Sequence, residues 1–243
     1  MVYEPRTYRK AVDAAGLISF EVVRAESDLH ISAARDLSSE AGALVERLRG
    51  ALEEYTTTHP RFAESFVPVE VESDAPEVVR SMAEAADAAG VGPMAAVAGA
   101  VAEYVARGLA PISPEVIVEN GGDIYLMGST PRTVLLGAGD SPVSGRVALS
   151  IASGEAPVAV CTSSGKVGHS VSLGTAHAVT VLADRGAFAD AMATAIGNLV
   201  HRPDDIERAV AHAQATPGVR GVVVIAEERI GAAGQIHLVR VGT

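Results

Sequence analysis

The sequence predicts an α+β protein in which helices pack against a largely antiparallel or mixed sheet. Strand-like and helical segments come in blocks and do not alternate strictly, which disfavours a parallel α/β sheet. Hydrophobic residues make up 48% of the 243 residues and charged residues 20%, a balance typical of a globular chain. We therefore expect one domain over residues 1–243, with a candidate subdomain edge near 59–74, where a proline-rich connector lies.

The first half of the chain is predicted to hold two strands and three helices. The strands share residues 16–33 and are separated by a turn at 26–28. Apolar residues at helical spacing place the helices at about 39–57, 75–89 and 91–109. The third helix starts through Gly92-Pro93 and is apolar almost all round, so we expect it to lie centrally in the fold.

The second half of the chain is predicted to consist mainly of strands. Six short β-branched runs lie between residues 115 and 183, separated by glycine, proline and serine: VIVEN, IYLMG, TVLLGA, RVALSI, VAVCT and AVTVLA. A helix at about 187–199 and a shorter one that ends near 214 follow, and the runs GVVVIAEE and QIHLVRVG predict two final strands. This succession is typical of a meander of antiparallel neighbours.

Charge and composition restrict the partners. A net charge of −11 argues against binding nucleic acid or anionic lipid by bulk attraction, whereas a phosphorylated small molecule can still be held by backbone N–H groups or a metal ion. Cys161 is the only cysteine, so no disulfide forms within one chain. No apolar targeting segment or spanning run is present, so we expect a cytoplasmic protein without a membrane partner. The abundance of short strands leaves a homodimer open.

The first candidate motif is ENGGDI at residues 119–124, directly after a strand-like run. Gly121 and Gly122 allow positive φ and close approach of another group to the backbone. Flanked by Asn120 and Asp123, they form either a tight turn between two strands or the floor of a ligand site.

The second motif, TSSGKVGHS at residues 162–170, ends another predicted strand. Its hydroxyls can hydrogen-bond a ligand, and His169 can act as a general base near neutral pH. The alternative is a hydroxyl-rich loop with no ligand. The members that we consider are Thr162, Ser163, Ser164, Gly165 and His169.

The third motif is FADAMATA at residues 188–195, on a predicted helix. Asp190 and Thr194 are four residues apart, which places them on one face of a helix, one turn apart. A carboxylate and a hydroxyl are oxygen ligands that suit Mg²⁺. The alternative is that Asp190 lies in the first turn of its helix and interacts only with the helix dipole.

Taken together, the three motifs resemble the ApbE flavin-transferase superfamily. Its members carry a GGD turn, a TSG stretch followed shortly by histidine, a strand close to SVTV and a helix that begins ADALATA. The same order occurs here in GGD at 121–123, TSSG at 162–165 with His169, AVTV at 178–181 and ADAMATA at 189–195. The segments VGPMAAVAGA and VENGGDIY are similar to those of small ApbE-like proteins.

The resemblance implies a T-fold-like, ApbE-like architecture and a specific chemistry. Family members bind FAD and Mg²⁺ and transfer FMN to a threonine or serine of an acceptor protein. By position, Asp190, Thr194 and a backbone carbonyl near Ala96 would hold the metal. The ENGGD turn and the TSSG stretch would line the flavin pocket, and His169 would deprotonate the acceptor hydroxyl. The helix start differs from the family pattern GGIAKG in that it lacks a lysine.

The leading hypothesis is therefore an ApbE-like protein that binds Mg²⁺ and FAD or another flavin or nucleotide, and that transfers FMN to an acceptor protein. A second hypothesis keeps the metal and His169 but assigns a different phosphorylated substrate. A third is a flavin- or nucleotide-binding protein without catalytic activity.

Overall fold

The computed structural model describes residues 12–165 and 174–241. Its helices are α1 Ser38–Thr58, α2 Pro60–Glu64, α3 Glu77–Ala89, α4 Val97–Leu109, α5 Gly186–Gly197 and α6 Ile206–Ala215. Its strands are β1 Ile18–Arg24, β2 Ser27–Ala33, β3 Val116–Asn120, β4 Asp123–Met127, β5 Arg132–Leu135, β6 Val147–Ile151, β7 Val158–Ser163, β8 Ala178–Ala183, β9 Gly221–Ala226, β10 Arg229–Gly234 and β11 Leu238–Arg240. Short 3₁₀ turns at Pro93–Ala96 and Pro203–Asp205 precede α4 and α6.

Two antiparallel sheets form the β structure. The larger has eight strands in the order β1-β2-β3-β4-β7-β8-β9-β10, and the smaller has three in the order β11-β6-β5. Every described strand pair is antiparallel. The prediction of an α+β fold with a largely antiparallel sheet is confirmed.

The large sheet is covered on both faces. In β7, Ala159 and Cys161 pack with the helices, whereas Val158 and Val160 pack against the small sheet. The same alternation holds along the other central strands, because successive side chains of a strand point to opposite faces. Burial on both faces explains why runs such as VAVCT and AVTVLA are apolar throughout. Helices α4 and α5 lie directly on the sheet and also contact each other.

The end of the chain differs from the prediction. Strand β10 covers RIGAAG, a segment that sequence reasoning missed because glycine and alanine have low β propensity. A Cβ on Gly231 would lie 2.3 Å from Ile206 Cγ2, so α6 packs against this strand at a position without a side chain. The run QIHLVRVG contributes only β11, which belongs to the small sheet.

The middle of the chain also shows two differences in detail. The helix expected at 91–109 is divided into the 3₁₀ turn and α4. The proline-rich connector near 59–74 contains α2, whose Phe62 is fully buried among residues of α1 and α3. Within the described ranges no single helix is long and apolar enough to cross a membrane. One pair, α3 with Pro93–Leu109, reaches that length and hydropathy only when taken together, and it is bent by 104°.

Candidate functional site

Helices α4 and α5 touch at two glycines. A Cβ on Gly99 would lie 2.3 Å from the carbonyl oxygen of Gly186, and a Cβ on Gly186 would lie 2.1 Å from the carbonyl oxygen of Gly99. Both distances are far below van der Waals contact, so neither position accepts even an alanine without a shift of the backbone. The two helix starts are therefore held in direct backbone contact.

An acid from each helix caps the start of the other. Asp190 Oδ2 on α5 accepts a hydrogen bond of 2.9 Å from the N–H of Gly99, and Ala98 also donates its N–H to this carboxylate. Glu103 Oε2 on α4 accepts a hydrogen bond of 2.6 Å from the N–H of Gly186. The first N–H groups of a helix have no partner within the helix and carry partial positive charge, so both acids are stabilised there.

This arrangement corrects the alternative that placed Asp190 in the first turn of its own helix. Asp190 is the fifth residue of α5, and the first turn of α5 contains no acid. The helix dipole does act on Asp190, but the dipole is that of α4.

The ends of three strands of the large sheet lie next to the starts of α4 and α5. Asn120, at the end of β3, donates from Nδ2 to the carbonyl oxygen of Ala98 over 3.1 Å. Asp123, at the start of β4, accepts at Oδ1 from the N–H of Thr162 over 3.0 Å. The Cys161 thiol donates to the carbonyl oxygen of Gly186 over 3.7 Å. The contacts of Asn120 and Cys161 connect the strand ends to the starts of α4 and α5, and the contact of Asp123 with Thr162 joins β4 to β7.

Two carboxyls are buried at this junction. Burial raises the pKa of Asp190 to about 7, although the N–H groups of Gly99 and Ala98 act in the opposite direction. Burial and, second, the charge of Asp190 raise the pKa of Asp123 well above its usual range. Burial and the two acids also raise the pKa of the Cys161 thiol. The junction therefore disfavours holding both negative charges without a counterion.

The residues predicted to hold the metal, and Ser163 of the predicted pocket, are all buried. Asp190 and Thr194 are both buried on α5, one turn apart. Ala96 is buried and is the last residue of the 3₁₀ turn before α4. Ser163 is 6% exposed, and its Oγ has no hydrogen-bond partner in the described part of the chain.

Other predicted residues contribute differently. The hydroxyl of Thr162 pairs with that of Thr180 over 2.9 Å, so only the backbone N–H of Thr162 reaches Asp123. Gly121 and Gly122 have φ values of 66° and 102° and form the turn between β3 and β4, where a Cβ on either would meet nothing within 4 Å. These two glycines thus form a turn, and one side of the turn is open to a ligand within the described part of the chain.

The rest of the second motif follows β7. Ser164 lies just after the strand, and a Cβ on Gly165 would lie 2.1 Å from the carbonyl oxygen of Gly174. His169 lies outside the described residues, because residues 166–173 are not among them. Its assignment as the base stays a prediction.

Sequence reasoning missed the residues that join the two helices. The chain reads GAVAE at 99–103 and GAFAD at 186–190, so each contact glycine precedes its acid by four residues. That repeated pentapeptide is the signal that identifies Glu103 as the counterpart of Asp190. Glu103 is 5% exposed and also pairs with Arg107 Nε over 2.8 Å.

Residues 9–228 match a protein family described as AbpE bacteria. The chain belongs to this family. Among its relatives, the UPF0280 protein of Methanopyrus kandleri is 42% identical over 228 residues, which cover 90% of this chain and 91% of the relative. The UPF0280 protein of Methanocaldococcus jannaschii is 42% identical over 202 residues, which cover 81% and 82% of the two chains.

Solved ApbE structures share the fold of this AbpE-family chain. The flavin transferase ApbE of Vibrio cholerae has a TM-score of 0.61 at 14% identity and covers 89% of this chain and 96% of its own. The ApbE protein of Thermotoga maritima has a TM-score of 0.55 at 13% identity and covers 89% and 97%. The ApbE-like architecture expected from the three motifs is confirmed.

The contact between the helices predicts the first mutational result. Gly99→Ala in the AbpE-family chain should lower the free energy of unfolding by about 2–3 kcal/mol, because its Cβ overlaps the backbone of Gly186. Gly50→Ala is the matched control, since Gly50 lies within α1 with no atom within 4 Å of its Cβ position, and it should stabilise by about 0.5–1 kcal/mol. Urea denaturation measures both values. Equal effects of the two substitutions would show that the helix starts are not in contact.

The raised pKa of Asp190 predicts a pH dependence of stability. The folded chain binds this proton more tightly than the unfolded chain, where the pKa is near 3.8, so stability falls as the pH rises between about 4 and 7. Asp190→Asn keeps an acceptor for Gly99 but does not ionise. In metal-free buffer, wild type should lose about 1 kcal/mol per pH unit relative to Asp190→Asn between pH 5 and 7. Parallel profiles of the two proteins would contradict burial of an ionisable pair.

Proposed function

We propose that this chain binds Mg²⁺ and a phosphorylated flavin or nucleotide at the junction of α4, α5 and the strand ends, and transfers FMN from FAD to a threonine or serine of an acceptor protein. One observation carries the proposal. Asp190 and Thr194 are buried one turn apart on α5, and Asp190 accepts a hydrogen bond from the N–H of Gly99 at the start of α4. The site thus combines oxygen ligands for a cation with a helix start, which favours anions.

The donor set suits a hard divalent cation. Within the described ranges no group of three or more His, Cys, Asp or Glu side chains is arranged to hold a metal. The junction instead offers a carboxylate and hydroxyl oxygens, and Mg²⁺ typically takes one or two protein carboxylates and completes its shell with water and phosphate oxygens. Ser163 Oγ, which has no hydrogen-bond partner among residues 12–165 and 174–241, is one further oxygen that a ligand would satisfy. In this setting Mg²⁺ would supply charge neutralisation for a diphosphate.

The residues of the junction divide into two binding roles under this proposal. Asp190 and Thr194 hold the cation, with the carbonyl near Ala96 as the additional ligand that the family resemblance implies. Asn120, Ser163 and the turn at Gly121–Gly122 contact the ligand. The open side of that turn leaves room for a flat ring against the backbone, because a Cβ at either glycine would meet no atom.

The transfer itself is a displacement at phosphorus. The oxygen of the acceptor hydroxyl bonds to the phosphorus of the FMN half of FAD, and the bond from that phosphorus to the oxygen of the AMP half breaks. AMP leaves, and the hydroxyl proton passes to His169 acting as a general base. The assignment of this base comes from the motif resemblance.

The experiment combines FAD, MgCl₂ and the full chain with a threonine-containing acceptor peptide. We expect a peptide mass increase equal to FMN minus water, with release of one AMP per adduct, and we expect His169→Ala to abolish both. His212→Ala, on the exposed surface of α6, is the matched control and should retain activity. Mass spectrometry and AMP quantification measure the outcome.

Other outcomes decide between the hypotheses. Tight FAD binding without release of AMP would favour a flavin-binding protein that does not catalyse transfer. A melting temperature unchanged by FAD, FMN or ATP with Mg²⁺ would overturn the flavin proposal, and a response to another phosphorylated compound would then favour a different substrate.

A further inference from the structure

We propose that Asp123 is a direct ligand of the divalent cation, so that Asp123 and Asp190 bind it between them. This inference rests on the proposed function for the presence of the cation. It departs from the motif resemblance, which places Asp123 with the residues that line the flavin pocket.

Short contacts connect the two carboxylates. Asp123 interacts with the side chain of Cys161, whose thiol donates to the carbonyl oxygen of Gly186 over 3.7 Å. A Cβ on Gly99 would lie 2.8 Å from the Cβ of Asp190 and 2.3 Å from the carbonyl oxygen of Gly186. Both acids therefore border the contact between α4 and α5.

Each carboxylate is oriented by a backbone N–H donor. Asp123 accepts the N–H of Thr162 at Oδ1, and Asp190 accepts the N–H of Gly99 at Oδ2. A carboxylate has about four acceptor sites, so these bonds orient both groups and leave further lone pairs for a cation. Both donors belong to the backbone of regular elements, which makes the orientation rigid.

Among the residues that the structure describes, the pair has no basic partner. The described groups that act on the two carboxyls are backbone N–H donors, the Cys161 thiol and the acid Glu119, with no described arginine, lysine or histidine among them. Two buried acids without a cation are costly, and the usual solutions are a bound proton or a bound metal. A divalent ion between them would balance both charges.

An independent observation at Ser163 points to a ligand at the same place. Asp123 precedes Ile124, which pairs with Val160, so the antiparallel register brings Asp123 next to Cys161 on β7. Ser163 is two residues further along β7, on the same helix-facing side as Cys161. Its hydroxyl is more than nine-tenths buried and has no partner among the described residues. A buried, unpaired hydroxyl on the same face of the sheet as Asp123 fits a role as a cation ligand or as a donor to a phosphate that the cation holds.

The competing interpretation is an acid pair that shares a proton and has only a structural role. The two interpretations predict different results for Asp123→Asn, which removes the charge but keeps an acceptor for Thr162. Under our proposal, the substitution weakens binding of Mn²⁺, used as the probe for Mg²⁺, by about tenfold or more, as does Asp190→Asn. It also raises the metal-free melting temperature at pH 8, because a buried charge is removed.

The first experiment measures Mn²⁺ binding to the full chain by electron paramagnetic resonance, with and without FAD, and the metal-free melting temperature. Asp87→Asn, on the exposed face of α3, is the control for a change in net charge and should alter neither quantity. If wild type binds no Mn²⁺ under either condition, the cation of the proposed function fails. If Asp190→Asn weakens binding and Asp123→Asn does not, only the present inference fails.

A second variant tests direct contact and does not depend on the stability of Asp123→Asn. Asp123→Cys in a Cys161→Ala background leaves one thiol in the chain, at the proposed ligand position. We expect Mn²⁺ binding to weaken and Cd²⁺ binding to produce the ultraviolet absorption of a cadmium–thiolate bond, since thiolates favour soft cations. Bound Cd²⁺ without that absorption, in folded protein, would overturn the assignment of Asp123 as a ligand.

Discussion

The contact between Gly99 and Gly186 is the constraint on which the candidate site depends. Because neither residue carries a side chain, the starts of α4 and α5 meet backbone to backbone. Only at that separation can Asp190 reach the N–H groups of α4 and Glu103 reach that of α5. The same contact brings the carbonyl oxygen of Gly186 to Cys161 on the sheet. A larger residue at either glycine would separate the helices and dismantle all three interactions.

The electrostatics of the junction destabilise the ionised forms of its two buried acids. Asp123 and Asp190 are buried together, and each raises the free energy of the other's charged state. The backbone donors at the start of α4 reduce this cost for Asp190 but do not remove it. Such an arrangement is typical of sites at which a ligand supplies the missing charge, and proteins accept local destabilisation mainly where function requires it. At 13–14% identity, the likeness to ApbE structures concerns architecture alone.

Much of the fold was predictable from local patterns. The strand runs between 115 and 183 and the helix at 187–199 correspond to β3 to β8 and α5, because their periodicity and β-branched composition are strong. Strand β10 was not predictable, since its RIGAAG sequence has little strand preference and forms by pairing with β9 and packing under α6. For the site, the pairing of Asp190 with Thr194 follows from helical spacing. Thr162 points its backbone N–H toward Asp123 and its hydroxyl to the other face of the sheet, toward Thr180. This orientation depends on the register in which the strands pair, which local sequence does not specify.

The sequence by itself determined the fold class, the oxygen-rich chemistry of the three motifs and the identity of most residues at the junction. Local spacing encodes these properties, since it sets which side chains share a helix face or a strand face. Only the tertiary structure decided that Asp190 caps α4, that Glu103 caps α5, and that Asp123 is buried near Asp190. Those relations join residues that are 67 to 91 positions apart in the chain, and their distances depend on how closely two helices pack on a sheet, which no local pattern specifies.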